Sequence, residues 1–384
     1  MANTLTSLIP ELYSNLDVVS RELVGMIPAV TLDPVASRAA LNATVRTFSA
    51  PAATASDITP GVAAPDTGDQ TIGNGTLSIT KARKVPIRWN GEETLAVGGA
   101  GFGASQIRAA QIQQAFRTLV NEMEADLCAL HVNASRAYGT AGTTPFGTAG
   151  DYTDASNARK ILVDNGAGES DLHLVMNTAA GANIRGKQSR VDEAGTTALL
   201  RQGVLLDTSG MMLRESAQIV TFTKGTGASA TTNTAGYAIG ATAITLAAAG
   251  TGTILAGDVI TFAGDTNKYV VASGDASTAD AGTITLAAPG LRQAIAASAT
   301  AITLVATSAR NMAFRRSAIV LATRLPALPD GGDAAIDRAV VTDPRSGVSF
   351  EISMYAQYRQ MYYEVAACWG VKAVKPEHMA LLLG

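Results

Sequence analysis

Histidine is scarce in this chain. The 384 residues include three, His131, His173 and His378, far apart and in no HExxH-like spacing, so a histidine-based metal or acid–base centre has little to be built from. Two cysteines, Cys128 and Cys368, exclude a disulfide framework. Neither has a partner at metal-ligand spacing, and a reducing compartment is expected. Charge is thin as well: 16% of residues, with a net charge of −3. That excludes the global basic field by which proteins hold nucleic acid tightly and without sequence preference. No apolar run reaches the roughly 18 residues that a membrane span needs. The N-terminus, MANTLTSLIPELYSNLDVVSREL, has no basic start followed by a long apolar run, so a soluble chain beginning near Met1 is expected.

What is present is a hydrophobic share of 47%, enough for a large core and too much for a disordered chain. Alanine, glycine and threonine dominate, which suits close backbone packing and thin sheets better than a catalytic cleft. Leu8, Leu12, Leu16, Val19, Leu23 and Met26 recur at helical steps and predict an amphipathic arm over residues 5–30, ended by Pro28. From Ala40 to Thr80 the chain turns to PAATASDITPGVAAPDTGDQTIGNGT, a run of small residues that cannot bury a core of its own. Period-two alternation over residues 76–97, with Leu77, Ile79, Val85, Ile87 and Trp89 on one face, predicts a β-hairpin with a central bend. Its cluster Lys81, Arg83, Lys84 and Arg88 is either a nucleic-acid contact or, as charge on an extended hairpin commonly is, a solvated face or an intersubunit ion-pair partner.

The stretch GGAGFGAS, residues 98–105, raises the question of a phosphate cradle, since glycines feeding a helix N-terminus attract anions. A dinucleotide site would need an acidic residue about twenty positions on, at the end of a second strand. Here Glu122 and Glu124 lie inside the same helical pattern, and no GKS or GKT follows. The glycines therefore read as a hinge before one long helix capped by Ser105 and striped by Ile112, Phe116, Leu119, Val120, Met123, Leu127 and Leu130, with Arg117, Glu122, Glu124 and Asp126 off the stripe. Beyond it, Asn157–Val163 reads as helix, Leu172–Asn177 as a buried strand, 179–190 as a helix running into a loop, and Ser209-Gly210 as a turn before another strand. Arg185, Lys187 and Arg190 form a second, sparse basic cluster.

Residues 223–310 break the composition, with few charges and an echo: ATAITLAA at 241–248, GTITLAAP at 282–289 and ATAITLVA at 299–306. Short β runs between turns predict a small β-barrel or sandwich inserted into a loop of another domain. Asp275 and Asp280 lack the alternating acids and closing glutamate of a calcium loop and read as a solvated turn.

The chain then resumes with NMAFRRSAIVLATRLP at 311–326, the turn Asp343-Pro344-Arg345-Ser346-Gly347, and Trp369-Gly370-Val371 followed by Lys375-Pro376-Glu377. These residues, with the order of parts along the chain, resemble the major capsid (coat) proteins of tailed double-stranded DNA bacteriophages, of the short-tailed Salmonella phage coat type. The resemblance implies an α+β fold, the Hong Kong phage capsid or Johnson fold, with an N-terminal arm at 1–45, an extended hairpin loop at 46–98, the spine helix and start of a peripheral domain at 99–150, an apical domain at 151–222 and 311–342, the inserted β domain at 223–310, and peripheral return strands at 343–384. It further implies a non-enzymatic shell protein of the virion. Such a protein assembles in the host cytoplasm as hexamers and pentamers with itself, guided by a scaffolding protein, meeting a portal protein at one vertex and a decoration protein in some shells, and enclosing double-stranded DNA through weak nonspecific contacts. No membrane partner, cofactor, metal or catalytic residue is expected, and no nucleophile, base and orienter set stands out in the sequence. An encapsulin-like bacterial shell is the alternative.

Overall fold

In a computed structural model of the chain, the described residues are 24–35, 37–49, 73–99, 104–148, 151–188, 207–343 and 347–384, together with 55, 57, 58, 60, 62 and 205. Along the chain come β1 (Thr31–Asp33), β2 (Arg38–Ala39), β3 (Thr44–Ser49), β4 (Gly73–Ser78), β5 (Lys81–Asn90), helices α1 (Gly91–Gly99) and α2 (Ala104–Ala129), and β6 (Arg136–Tyr138). Helix α3 (Thr153–Asp164), β7 (Leu172–Met176), α4 (Thr178–Lys187), β8 (Met211–Glu215) and β9 (Thr221–Phe222) follow. The composition break holds β10 (Ala243–Thr245), β11 (Val259–Phe262), β12 (Lys268–Ser273), β13 (Thr283–Leu286) and β14 (Ile302–Leu304). The chain closes with β15 (Ser308–Arg315), β16 (Ile319–Pro326), β17 (Ala335–Thr342), β18 (Ser349–Gln357), β19 (Gln360–Ala373) and β20 (Met379–Leu383). The architecture is α+β.

The strands form two large sheets. The first runs β1-β16-β19-β18-β17, with β2 on β16 and β5 on β19. Helix α2 lies across it, 26 residues or about 39 Å at 1.5 Å per residue. The stripe explains the packing: Ile112, Phe116, Leu119, Met123 and Leu127 are buried, and Phe116 meets Phe350 of β18 edge-on at 5.0 Å. Trp369 of β19 is fully buried, and its indole N–H donates to Asp126 Oδ2 at 2.8 Å, satisfying its one polar atom. Next to it a Cβ on Gly370 would stand 2.1 Å from the Ser78 carbonyl oxygen, so only glycine lets the chain after β4 cross the sheet there.

The second sheet runs β10-β13-β12-β6-β20-β15-β7-β8, with β11 bridging β12 and β14 and β9 on β15. The repeated Ile-Thr-Leu explains its outer part. In β13, β14 and β10 with the residue after it, the isoleucines Ile244, Ile284 and Ile302 and the leucines Leu246, Leu286 and Leu304 point into one core cluster, while Thr245, Thr285 and Thr303 face outward, as period two requires. The ends of this segment meet, since Phe222 pairs with Ser308. It is nevertheless continuous with the rest: β12 pairs with β6, and Val259, Val270 and Ala287 belong to the main core.

Several expectations are corrected. The predicted hairpin over 76–97 is not formed: its first residues end β4, which pairs with β3, and from Lys81 the rest is one strand, β5, followed by a helix. β19 offers it partners from Asn90↔Gln360 to Lys81↔Trp369, and Pro86 is tolerated because β5 pairs with β19 alone among the described strands. Helix α1 starts on a reciprocal cap, with Glu93 N–H donating to Asn90 Oδ1 at 2.7 Å and Asn90 N–H to Glu93 Oε2 at 3.0 Å. Gly98 and Gly99 thus end α1, and Ser105 falls inside α2 and not before it. The expected division between 311–342 and 343–384 is not followed by the strands. β15 and β20 share one sheet while β16, β17, β18 and β19 share the other, because the chain crosses between sheets after β15 and again before β20. The helical arm expected over 5–30 lies mostly outside the described residues; Ile27–Ala29 form a 3-10 turn.

Candidate assembly surfaces and the junction between the sheets

Among the described strands β3 and β4 pair only with each other, from Thr44↔Ser78 to Ser49↔Gly73. The hairpin is held at its base, where Leu77 and Ile79 are buried against Ala322 and Cys368. Above the base, Arg46 and Thr76 are exposed, while Val45 is half-buried against the same cluster. An isolated two-stranded ribbon is marginal in water.

The basic cluster on β5 is largely neutralised within the subunit. Lys81 Nζ lies 2.8 Å from Asp126 Oδ1 and 3.1 Å from Glu122 Oε1; Arg83 Nε lies 2.9 Å from Glu122, and Lys84 Nζ 3.0 Å from Glu364. In the second cluster Arg185 grips Glu215 with both terminal nitrogens, and Lys187 stands 5.2 Å over the Tyr152 ring. Arg190 lies outside the described residues.

Glu124, which the helical pattern placed off the apolar stripe, is 1% exposed. Its Oε1 accepts the backbone N–H groups of Gly25 and Met26, both at 2.7 Å, and its Oε2 that of Ile27 at 3.0 Å. Burial pushes this carboxyl above the usual carboxylate range, against the pull of those N–H groups. The residue therefore ties the N-terminal segment to the spine helix.

At the far end of the first sheet, the tight turn between β18 and β19 presents Tyr358, 87% exposed, and Arg359 at φ 56°. Together with Trp89, Leu95 and Met361 it lines an open groove of about 1250 Å³.

Three 3-10 turns carry the chain between the two sheets: Leu130–Asn133 from α2 to β6, Arg316–Ala318 from β15 to β16, and Pro376–His378 from β19 to β20. A buried histidine accompanies each. His131 is in the first, with Nδ1 3.2 Å from the Cys128 carbonyl oxygen and its ring edge-on to Phe222 at 5.3 Å. His173 on β7 approaches the second, with Nε2 3.4 Å from Arg316 Nη2 and 3.0 Å from Asp171 Oδ1. His378 ends the third. Burial holds the pKa of all three below the usual histidine value, to about 4 for His131.

Both cysteines are buried and unpaired with each other, and burial pushes the Cys128 thiol up to about 12 and the Cys368 thiol to about 11, leaving them unreactive near neutrality. Among the described residues no group of three or more His, Cys, Asp or Glu side chains converges as a metal site, and no helix is long and apolar enough to cross a membrane.

The chain matches no family model and no curated protein. Solved structures that it resembles include the capsid of cyanophage P-SCSP1u, at 9% identity over 92% of this chain and 86% of that one with a TM-score of 0.49. The capsid of a native GTA particle aligns at 11% identity over 94% and 90% with a TM-score of 0.45. A virus-like particle from Pyrococcus furiosus aligns at 7% over 97% and 98% with a TM-score of 0.44. Backbones that agree this loosely leave the function of the chain to be argued from its own residues.

Proposed function

We propose that this chain is a structural shell protein, the major capsid protein of a tailed double-stranded DNA bacteriophage, that assembles with itself as hexamers and pentamers. The observation that carries the reading is the β3–β4 hairpin. It stands beside a sheet braced by a 26-residue helix, is held at its base by Leu77 and Ile79, and has the position in the chain that the sequence resemblance gives to the extended loop of such subunits. An isolated two-stranded ribbon gains its stability on a neighbour, and of the expected loop 46–98 we assign residues 46–78 to that contact, since β5 is held within the subunit by β19. The inserted β domain of the Salmonella-phage type, a scaffolding partner, a portal contact, weak inner-face contacts to DNA and a place in the virion belong to the same reading. The ion-paired state of Lys81, Arg83 and Lys84 supports a protein-facing role for that strand over a nucleic-acid-facing one.

The test replaces residues 50–72 by Asn-Gly, a two-residue turn that closes hairpins, and leaves Leu77 and Ile79 in place. The expected product is a folded, monomeric chain that forms no shells in negative-stain microscopy, while the parent chain forms them with its scaffold. Normal shells from the shortened chain would overturn the assignment. An encapsulin-like shell is the second reading, which the segment 223–310 disfavours. Protected DNA in nuclease-treated particles supports the phage reading, and an enzyme cargo in its place would reverse the choice.

A further inference from the structure

The chain's only three histidines sit one to each of the three crossings between its two sheets, and each keeps a buried ring nitrogen, Nε2 of His131, Nδ1 of His173 and Nδ1 of His378, without a hydrogen-bond partner among the described residues. A neutral imidazole tolerates that arrangement, because an unpaired ring nitrogen is a weak liability. A protonated one does not, since it presents an N–H⁺ that needs an acceptor or water. We propose that these crossings form an acid-sensitive hinge, in which protonation of the histidines loosens the three turns together and lets one sheet reset its angle against the other.

The surroundings favour this response at each crossing. His131 faces Arg310 of β15, itself fully buried over the Phe222 ring at 5.2 Å. Asp258, the acid that acts on Arg310, spends its oxygens on the N–H groups of Gly225 and Leu255. From α2 the ring meets the Cys128 carbonyl, which fixes Nδ1–H as the donor and leaves Nε2 bare. His173 faces Arg316 from its turn and Arg214 from β8; Asp171 opposes them at its Nε2 and Asp207 acts on Arg214. His378 faces Lys375 and, from β15, Arg315, with Glu377 opposing. At every crossing, then, a positive ring would form against at least one fixed cation.

The sign follows from linkage. The His131 ring titrates near 4 when folded and near 6.5 when unfolded, so the unfolded state binds more protons between these values. Stability is full above pH 6.5 and is lost as the pH falls towards 4, and His131 alone weakens the folding equilibrium by about 300-fold at most across that window. His173 and His378 shift in the same direction. Because all three rings flank the chain crossings, His131 and His378 within their turns and His173 near the start of β7 beside the second, the first structure to yield is the junction.

The test uses the full chain with Lys160→Cys on α3 and Ala356→Cys on β18, both exposed positions on opposite sides of the junction. The two carry spin labels for pulsed distance measurement; Cys128 and Cys368 are buried and stay unlabelled. Between pH 7.5 and pH 4.5 the interlabel distance is expected to shift by more than the width of its pH 7.5 distribution, to return on neutralisation, and to stay fixed when His131→Gln, His173→Gln and His378→Gln are combined. In parallel, selective ¹³Cε1-histidine labelling gives three ring signals whose midpoints should fall below 6.5 and coincide with the distance change. A shift that persists in the triple variant, a constant distance while the rings titrate, or rings that titrate at 6.5 would each overturn the proposal. If the triple variant fails to fold, the single variants and the ring midpoints decide it by the same criteria.

Discussion

The β3–β4 hairpin and the segment from β10 to β14 are both short-stranded ribbons rich in small residues, and they solve the burial problem in opposite ways. In the second, alternation is strict. Ile and Leu of each Ile-Thr-Leu turn inward, and with Phe262, Tyr269 and Leu291 they fill a core of the segment's own. In the first, TVRTFS pairs with GNGTLS, and beyond Leu77 there is too little apolar bulk on either face to make a core. Strand propensity differs between the two, Gly73-Asn74-Gly75 being poor strand formers and Ile-Thr-Leu better ones, and so does the supply of large side chains to one face. The ribbon with a core adds stability to its own subunit, while the other is anchored at its base by Leu77 and Ile79.

The largest test of that comparison removes the segment outright. Replacing residues 224–306 by a short Gly-Ser linker is geometrically mild, since Phe222 and Ser308 are already paired. It strips β6 of its β12 neighbour and takes Val259, Val270 and Ala287 out of the main core. The expected outcome is a chain that keeps the α2 helical signal in circular dichroism but melts well below the parent and self-associates through the bared β6 edge. Unchanged melting would show that the segment is an appendage after all. The excised segment 221–312 should then show β-type circular dichroism with a broadened transition, because Val259, Val270, Ala287 and Met312 lose their cover.

Single substitutions sharpen the contrast. Ile284→Ala in the segment's core should cost about 2–5 kcal/mol in urea unfolding, the range for a fully buried isoleucine. Val45→Ala on the half-buried hairpin face should leave the same measurement within about 0.5 kcal/mol while lowering the yield of assembled particles. Equal losses at the two sites would erase the distinction.

Much of this organisation was legible in the sequence, for identifiable reasons. The α2 stripe, the buried β7 strand, the Ser209-Gly210 turn and the Ile-Thr-Leu echo all follow from periodicity, which a single sequence displays. Strand β5 was misread because a ten-residue edge strand and a hairpin share one alternation. Which it becomes depends on β19, some 280 residues away. The helix after it had a local sign, Asn90 followed three residues later by Glu93, that the alternation concealed. Glu124 could not have been placed from pattern alone. A glutamate on a helix reads as solvent-facing unless one knows that three backbone N–H groups from another part of the chain will converge on it. The histidines were legible only as scarce. Their common location at the crossings is a property of topology.

Glu124 gives the next test in size. Glu124→Gln keeps one acceptor for Gly25 and Met26 but turns an amide N–H₂ towards the Ile27 N–H, donor against donor. The expected loss is about 1–3 kcal/mol, the penalty of an unsatisfied buried polar pair. Limited proteolysis should also cut the N-terminal segment sooner, because it is the segment that the carboxylate holds. A loss of stability without earlier cutting would mean that Glu124 acts within α2 and not as a tie.

The smallest expected effect is at Lys84, and its smallness is informative. Lys84 and Glu364 form a pair at 3.0 Å with the lysine side chain 59% exposed, and its hydrogen bonds to Glu364 and to Tyr362 raise its pKa. Exposed pairs of this kind contribute about 0–1 kcal/mol, since water screens the attraction and two long side chains must be ordered. Lys84→Ala should therefore move the urea midpoint within that range and, because the charge is already matched by a carboxylate, leave the salt dependence of any binding to double-stranded DNA unchanged. A protein whose β5 strand grips phosphates behaves differently: each lost contact lowers the slope of log affinity against log salt by about one. A measured drop of that size on Lys84→Ala would return this strand to nucleic acid and leave the hairpin beside it, without a core of its own, as the one protein-seeking ribbon of the pair.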